Sequence, residues 1–229
     1  MIEVQKLVKL FKTGGGDLIG LRGLNLSVQS GEFLAITGRS GSGKSTLLYQ
    51  LGLLDRPTSG EIWIDKIHVT KLSEREQTHF RLHYLGYVFQ DYALIPELTA
   101  EENVAVPLMM QGYSRKEANK KADKVLNQVG LGDKLHNLPS ALSGGQQQRV
   151  AIARALGHNP KIIFADEPTA NLDSETSKTI LEVFKELNKA GQTIVMVTHE
   201  EEYALIADRV ITLSDGIIID EEAAKQFLN

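Results

Sequence analysis

A strand that runs through a glycine-rich loop directly into a helix leaves a chain few ways to fold. This chain carries such a segment in the apolar run Phe33-Leu-Ala-Ile-Thr37, the loop Gly38-Arg39-Ser40-Gly41-Ser42-Gly43, and the stretch Lys44 to Leu54. In the last stretch Leu47, Leu48, Leu51 and Leu54 recur at helical spacing. Gly38 to Ser45 also has the spacing of glycine, four residues, glycine, lysine and serine. Glycines let the backbone wrap closely enough for successive N–H groups to converge on phosphate oxygens. The helix that follows aims its positive end at the same place. Lys44 is then expected to reach the β- and γ-phosphates and Ser45 to ligate Mg²⁺, with Arg39, Ser40 and Thr46 completing the cradle. A glycine-rich turn with a chance lysine would show the same letters, but not between a strand and a helix. The pattern points to a nucleoside triphosphate and leaves its use open, because kinases, GTPases, helicases and transporters share it.

The rest of the chain alternates strands and helices. Glu61-Ile-Trp-Ile-Asp65, Gly86-Tyr-Val-Phe89, Ile162 to Ala165, Thr193 to Val197 and Arg209 to Leu213 read as strands. Glu175 to Ala190 reads as a helix stopped by Gly191. Ser114-Arg-Lys-Glu117 is a capping box that opens another helix. This order predicts a single α/β domain over 1–229, with a mainly parallel sheet and an N-terminal antiparallel β portion. A helical subdomain of about 91–158 is expected to be inserted in it. Thr13 to Asp17 reads as a flexible turn, and the final Glu221–Asn229 segment offers no visible seat for a regulatory effector.

Charge and composition narrow the classes. With 25 basic against 29 acidic residues and no block of like charge, the chain lacks the basic patch of a nucleic-acid binder. It has no cysteine, which removes disulfides and thiolate metal sites. The most apolar runs, Val104 to Met110 and Gly216 to Ile219, fall far short of the roughly 18 residues a membrane span needs. Met1 to Leu7 lacks the apolar core of a secretory signal. The chain is expected to stay in the cytoplasm, so that any membrane role comes through a partner.

Two further strings carry chemistry. The strand Ile162-Ile-Phe-Ala165 ends in Asp166-Glu167. A carboxylate at Asp166 can hold Mg²⁺ through water, and one at Glu167 can orient or deprotonate the attacking water. An acidic turn after a core strand would read the same way by itself. Leu142-Ser143-Gly144-Gly145-Gln146 opens a helix with a hydroxyl, several N–H groups and a positive dipole end, a second anion-binding device. A well-capped helix start is the plainer reading of Ser-Gly-Gly alone.

Along nearly its whole length the sequence resembles the ATP-binding cassette family, and Leu142-Ser-Gly-Gly-Gln146 resembles that family's signature motif. The resemblance implies a P-loop NTPase core that binds ATP with Mg²⁺. It also implies an ATP-dependent homodimer, paired head to tail. Ser143, Gly144, Gly145 and Gln146 of one copy would then close over the ATP held by Gly38 to Thr46 of the other. Gln90 matches the family's glutamine loop, which touches Mg²⁺. Asp173, in Asn171-Leu-Asp173, matches the loop that crosses the dimer interface and can also cap the next helix. His199 matches the switch histidine that contacts the γ-phosphate, and Phe11 stands where an aromatic stacks on adenine. That aromatic is often tyrosine in the family; phenylalanine keeps the stacking face. Leu51 to Gly60, Leu94 to Leu108 and Ala165 to Asp173 resemble the branch of lipoprotein-releasing, macrolide-efflux and cell-division ATPases. The implied partner is an integral membrane permease, which the chain would serve from the inner face of the membrane without binding nucleic acid. The alternative is a cassette ATPase with no transport role, either a division-type regulator or a soluble assembly ATPase.

Overall fold

The computed structural model describes residues 1–14 and 16–223. In chain order it opens with β1 (Ile2–Thr13), β2 (Gly16–Val28), β3 (Phe33–Thr37), α1 (Lys44–Leu51), β4 (Ser59–Ile64) and β5 (Ile67–His68). Next come α2 (Glu74–Tyr84), β6 (Leu85–Val88), α3 (Ala100–Met110), α4 (Arg115–Gln128) and α5 (Gly144–Leu156). The chain continues through β7 (Ile162–Asp166), α6 (Ser174–Lys189), β8 (Thr193–Val197), α7 (Glu201–Ala204), β9 (Arg209–Ser214) and β10 (Ile217–Ala223). These elements gather into two compact units, Met1–His79 with Asn188–Asn229, and Phe80–Leu187.

The first unit carries an antiparallel sheet in the order β2-β1-β4-β5 and a run of strands in the order β10-β9-β3-β8. In that run β3 lies parallel to both β8 and β9, while β10 closes antiparallel on β9. All five residues of β3 and of β8 are buried, as expected of strands covered on both faces. Each large apolar side chain so buried contributes about 1.5–3 kcal/mol. β1 alternates until Val4 and then slips, because Lys6 turns to φ 48° and its N–H is taken by Asn25 Oδ1 at 2.9 Å. The bulge brings Leu7 inward in place of the next residue in phase, so Ile2, Val4 and Leu7 are all buried. That slip is why the sequence alternates only loosely here.

In the second unit β6 and β7 pair in parallel, with Val88 opposite Ala165, and α3, α4 and α5 pack on one another. α3, α4 and α5 each open on a capping box: Thr99 with Glu102, Ser114 with Glu117, and Ser143 with Gln146. α6 buries Ser177, Ile180, Leu181 and Phe184 along one stripe.

One local expectation needs correction, one segment was not anticipated, and one expected turn is found. The helix expected to reach Leu54 stops at Leu51, where Gly52 caps it, Leu53 turns to φ 57° and Leu54 is left exposed. The chain between Asp65 and Gly86 holds β5 and α2, which hydropathy spacing did not announce, although Ser73 and Glu76 form a recognisable capping pair. The Thr13–Asp17 stretch is a hairpin in which Thr13 lies opposite Gly16; Gly15, and residues 224–229 of the final segment, lie outside the described residues.

Candidate functional site

In the first unit the site is built where β3 runs into α1. Gly38, Gly41 and Gly43 all take positive φ, at 137°, 80° and 104°. At Gly43 the need is steric as well as conformational: a Cβ there would lie 2.6 Å from the Gly20 carbonyl oxygen. Gly43 is also the N-cap of α1, and it offers no side chain to the helix start. No acidic residue occupies the first turn either. The positive end of α1 is therefore capped by no side chain, whereas α3, α4 and α5 are closed by their own side chains.

Lys44 is buried and turned inward, donating to the carbonyls of Gly38 at 2.9 Å and Arg39 at 3.1 Å. The ammonium thus spans the mouth of the loop between its first two carbonyls. Beside it the Ser42 hydroxyl is buried with no hydrogen-bond partner. Ser45 and Thr46 are half-buried in the first turn of α1, and Arg39 and Ser40 are exposed on the loop.

Phe11, 37% exposed, lies at the same place. A Cβ on Gly20 would meet Phe11 Cε2 at 2.7 Å and Thr46 Cγ2 at 3.3 Å, so the ring edge and the first turn of α1 share one neighbour. Lys9 Nζ stands 5.2 Å from the ring centroid. His199 leaves the end of β8, which pairs with β3 so that Val197 lies opposite Ile36. The histidine therefore emerges on the same sheet edge as the loop, with its Nε2 3.3 Å from Glu200 Oε1. Its backbone is steadied by the bond from Glu200 N–H to Thr198 Oγ1 at 3.1 Å.

In the second unit β7 delivers Asp166 at its C-terminal end, 4% exposed, followed at once by Glu167. Glu167 is held at φ 43°, a left-handed conformation that costs a non-glycine residue energy and is concentrated at functional sites. Because β6 and β7 are parallel, Gln90 leaves on the same edge as the two carboxylates. Its carbonyl accepts from Asn171 Nδ2 at 2.9 Å. Asp173 is a helix cap, as the simpler sequence reading allowed. Its carboxylate accepts from the N–H groups of Glu175 and Thr176 at 3.1 and 2.9 Å, and from Thr176 Oγ1 at 2.7 Å. The Thr176 bonds, backbone first, hold its carboxyl below the usual range.

Ser143 Oγ accepts from Gln146 N–H at 3.3 Å, and Gln146 Oε1 accepts from Ser143 N–H at 3.0 Å. Two of the N–H groups in this string, those of Ser143 and Gln146, are thus already occupied. The serine hydroxyl keeps its own proton to donate. Gly144 lies close to Tyr92 Oη and Leu172, and Gly145 against Thr176. The start of α5, the segment after Gln90 and the loop ending in Asp173 are consequently one cluster.

Sequence reading passed over Arg154 and Tyr92. Arg154 on α5 donates through Nη2 to the Tyr92 carbonyl at 2.8 Å and through Nη1 to the Ala93 carbonyl. The available signal was a single charge inside the apolar run Val150-Ala-Ile-Ala-Arg-Ala-Leu156.

A family model described as ABC transporter matches residues 21–170. The lipoprotein-releasing system ATP-binding protein LolD of Aquifex aeolicus is 51% identical over 221 residues, covering 96% of this chain and 98% of that protein. The macrolide export ATP-binding/permease protein MacB of Bartonella henselae is 44% identical over 98% of this chain, which spans only 34% of its length. A dimeric post-hydrolysis structure of the ATP-binding cassette MJ0796, bound to ADP and phosphate, superposes with a TM-score of 0.91. It is 44% identical and covers 98% of this chain and 99% of that one.

Proposed function

Since this chain belongs to the ABC transporter family of ATP-binding cassettes, we propose that it hydrolyses ATP between two head-to-tail copies of itself and so drives an integral membrane permease. The observation that carries the ATP assignment is the cradle of Gly38 to Thr46, with a helix start that no side chain caps. Head-to-tail pairing is supported by the dimeric MJ0796 cassette and by the Ser143 hydroxyl, which accepts from Gln146 N–H and keeps its own proton to donate. The permease partner is supported by the LolD and MacB relatives. None of the described helices is long and apolar enough to cross a membrane.

In this reading Lys44 exchanges two loop carbonyls for the β- and γ-phosphates, replacing neutral acceptors by charged ones. Phe11 stacks on the adenine. Ser45, Gln90 and Asp166 hold Mg²⁺. They offer a hydroxyl, an amide oxygen and a carboxylate, the hard oxygen donors this cation prefers. Bound there, Mg²⁺ neutralises charge on the phosphate oxygens. Glu167 orients the attacking water and His199 faces the γ-phosphate. Ser143, Gly144, Gly145, Gln146 and Asp173 contact the nucleotide held by the other copy. Loss of the γ-phosphate removes the contacts that favour the closed pair, and the pair loosens.

Steady-state turnover tests this reading. Specific activity should rise with protein concentration, since two copies make each site. Glu167→Gln should lower turnover by roughly 10²–10⁴ while ATP still binds. Turnover that is independent of concentration would remove the paired site. Purification with a soluble partner, in place of a detergent-solubilised permease, would point to an assembly ATPase.

A further inference from the structure

We infer that Arg154 is a positioning residue for ATP hydrolysis, holding the Gln90–Ala93 turn against the first turn of α5 so that Gln90 and Ser143 keep a fixed spacing. The inference rests on the proposed roles of Gln90 and Ser143 at the nucleotide. Tyr92 and Ala93 stand at φ 62° and 49°, so two consecutive non-glycine residues occupy the left-handed region. Such conformations persist only where the surroundings hold them. The Ala93 N–H turns back to the Asp91 carbonyl at 2.7 Å, which leaves the Tyr92 and Ala93 carbonyls pointing toward α5. Both are taken by the half-buried guanidinium of Arg154, Tyr92 O by Nη2 at 2.8 Å and Ala93 O by Nη1.

The turn is fastened at two further points. Asn171 Nδ2 holds the Gln90 carbonyl at 2.9 Å. At the start of α5, a Cβ on Gly144 would come within 3.1 Å of Tyr92 Oη, so the tyrosine lies directly against the residue after Ser143. One helix therefore grips the turn twice, through its backbone start at Gly144 and through Arg154 almost three turns later. A displacement of Gln90 is carried to α5 through this grip. Lysine is the poorer substitute here, because one ammonium nitrogen would have to meet both carbonyls where the guanidinium offers each its own nitrogen.

The test uses Arg154→Lys, which keeps the charge and stem and removes the fork. Fluorescent-ATP binding and turnover at saturating ATP are measured on the full chain, alone and with Ala93→Gly added. ATP affinity should stay within about twofold, because the Gly38–Thr46 cradle is untouched, while kcat falls by about tenfold or more, as misplaced catalytic geometry requires. Adding Ala93→Gly should recover several-fold of the loss relative to Ala93→Gly alone, since glycine takes the left-handed conformation unaided. A purely packing role for Arg154 would show no such rescue. Wild-type turnover in Arg154→Lys, or a loss that Ala93→Gly does not relieve, overturns the inference while the paired-site reading stands. Wild-type activity that is independent of protein concentration overturns both.

Discussion

Gly41→Ala and Gly43→Ala place the same methyl group at two points of one loop, and the structure separates their costs. At Gly41 φ is 80° and nothing lies within 4 Å of the added Cβ, so only the left-handed backbone penalty of about 1–2 kcal/mol applies. At Gly43 φ is 104°, and the Cβ would sit 2.6 Å from the Gly20 carbonyl oxygen and 3.4 Å from Leu21 Cδ2. Gly20 lies in β2, so the obstruction is backbone held in a sheet. Backbone strain of about 1–3 kcal/mol is then joined by an overpacking cost of about 1–3 kcal/mol. In a chain of this size each kcal/mol moves Tm by about 2–4 °C. Gly41→Ala should therefore lose about 5 °C and Gly43→Ala about 10 °C in a thermal melt. ATP at a hundredfold excess over Kd adds about 2.7 kcal/mol to a binding-competent fold. Gly41→Ala should keep that upward shift, and Gly43→Ala should lose most of it because the first turn of α1 moves with the loop. Equal destabilisation by the two variants, or a full ATP shift in Gly43→Ala, would refute the reasoning.

Other outcomes follow from single side chains. Phe11→Ala should weaken ATP binding by roughly tenfold, since stacking on a base contributes about 1–3 kcal/mol, with little change in Tm because the ring is 37% exposed; Phe11→Tyr should bind as wild type. Ser143→Ala should cost about 1 kcal/mol of stability without nucleotide, the value of a helix cap, and should abolish ATP-driven pairing in gel filtration. The carboxyls of Glu76, Glu102, Glu117 and Asp173 are all held below their usual range by bonds from their capping partners. Because these pKa values are lower in the folded chain, the stability they contribute is present above the unfolded values and is lost as pH falls below about 4. Glu117→Gln and Asp173→Asn keep the capping geometry without the charge. Denaturation curves between pH 3 and 6 should fall less steeply for the double variant than for wild type, which urea midpoints will read.

The cradle was legible because every part of it is local: a fully buried strand, three glycines and a helix within a short span leave one geometry. Asp166 and Glu167 were legible at the end of an apolar strand, whereas Gln90 and His199 were named only through the family resemblance, since one polar residue after a strand carries no signal of its own. The inward turn of Lys44 could not be read, because its acceptors are main-chain carbonyls that any residue supplies. Arg154 escaped notice for the same reason: it bonds to backbone about 60 residues away, and no side-chain partner in the sequence marks the pair. The bulge at Lys6 depends on Asn25 across the hairpin, a partner that the pattern of residues 2–11 does not announce. Ser143 was visible both as an anion site and as a cap; the capping box establishes the second role without removing the hydroxyl proton that the first requires.

Gel filtration of Glu167→Gln with and without Mg-ATP tests the paired site most directly. With hydrolysis stopped, ATP should hold two copies together, and the protein should shift from monomer to dimer only when the nucleotide is present. A variant that binds ATP fully and still elutes as a monomer would contradict the account, because Ser143 to Gln146 would then be closing no second copy's nucleotide.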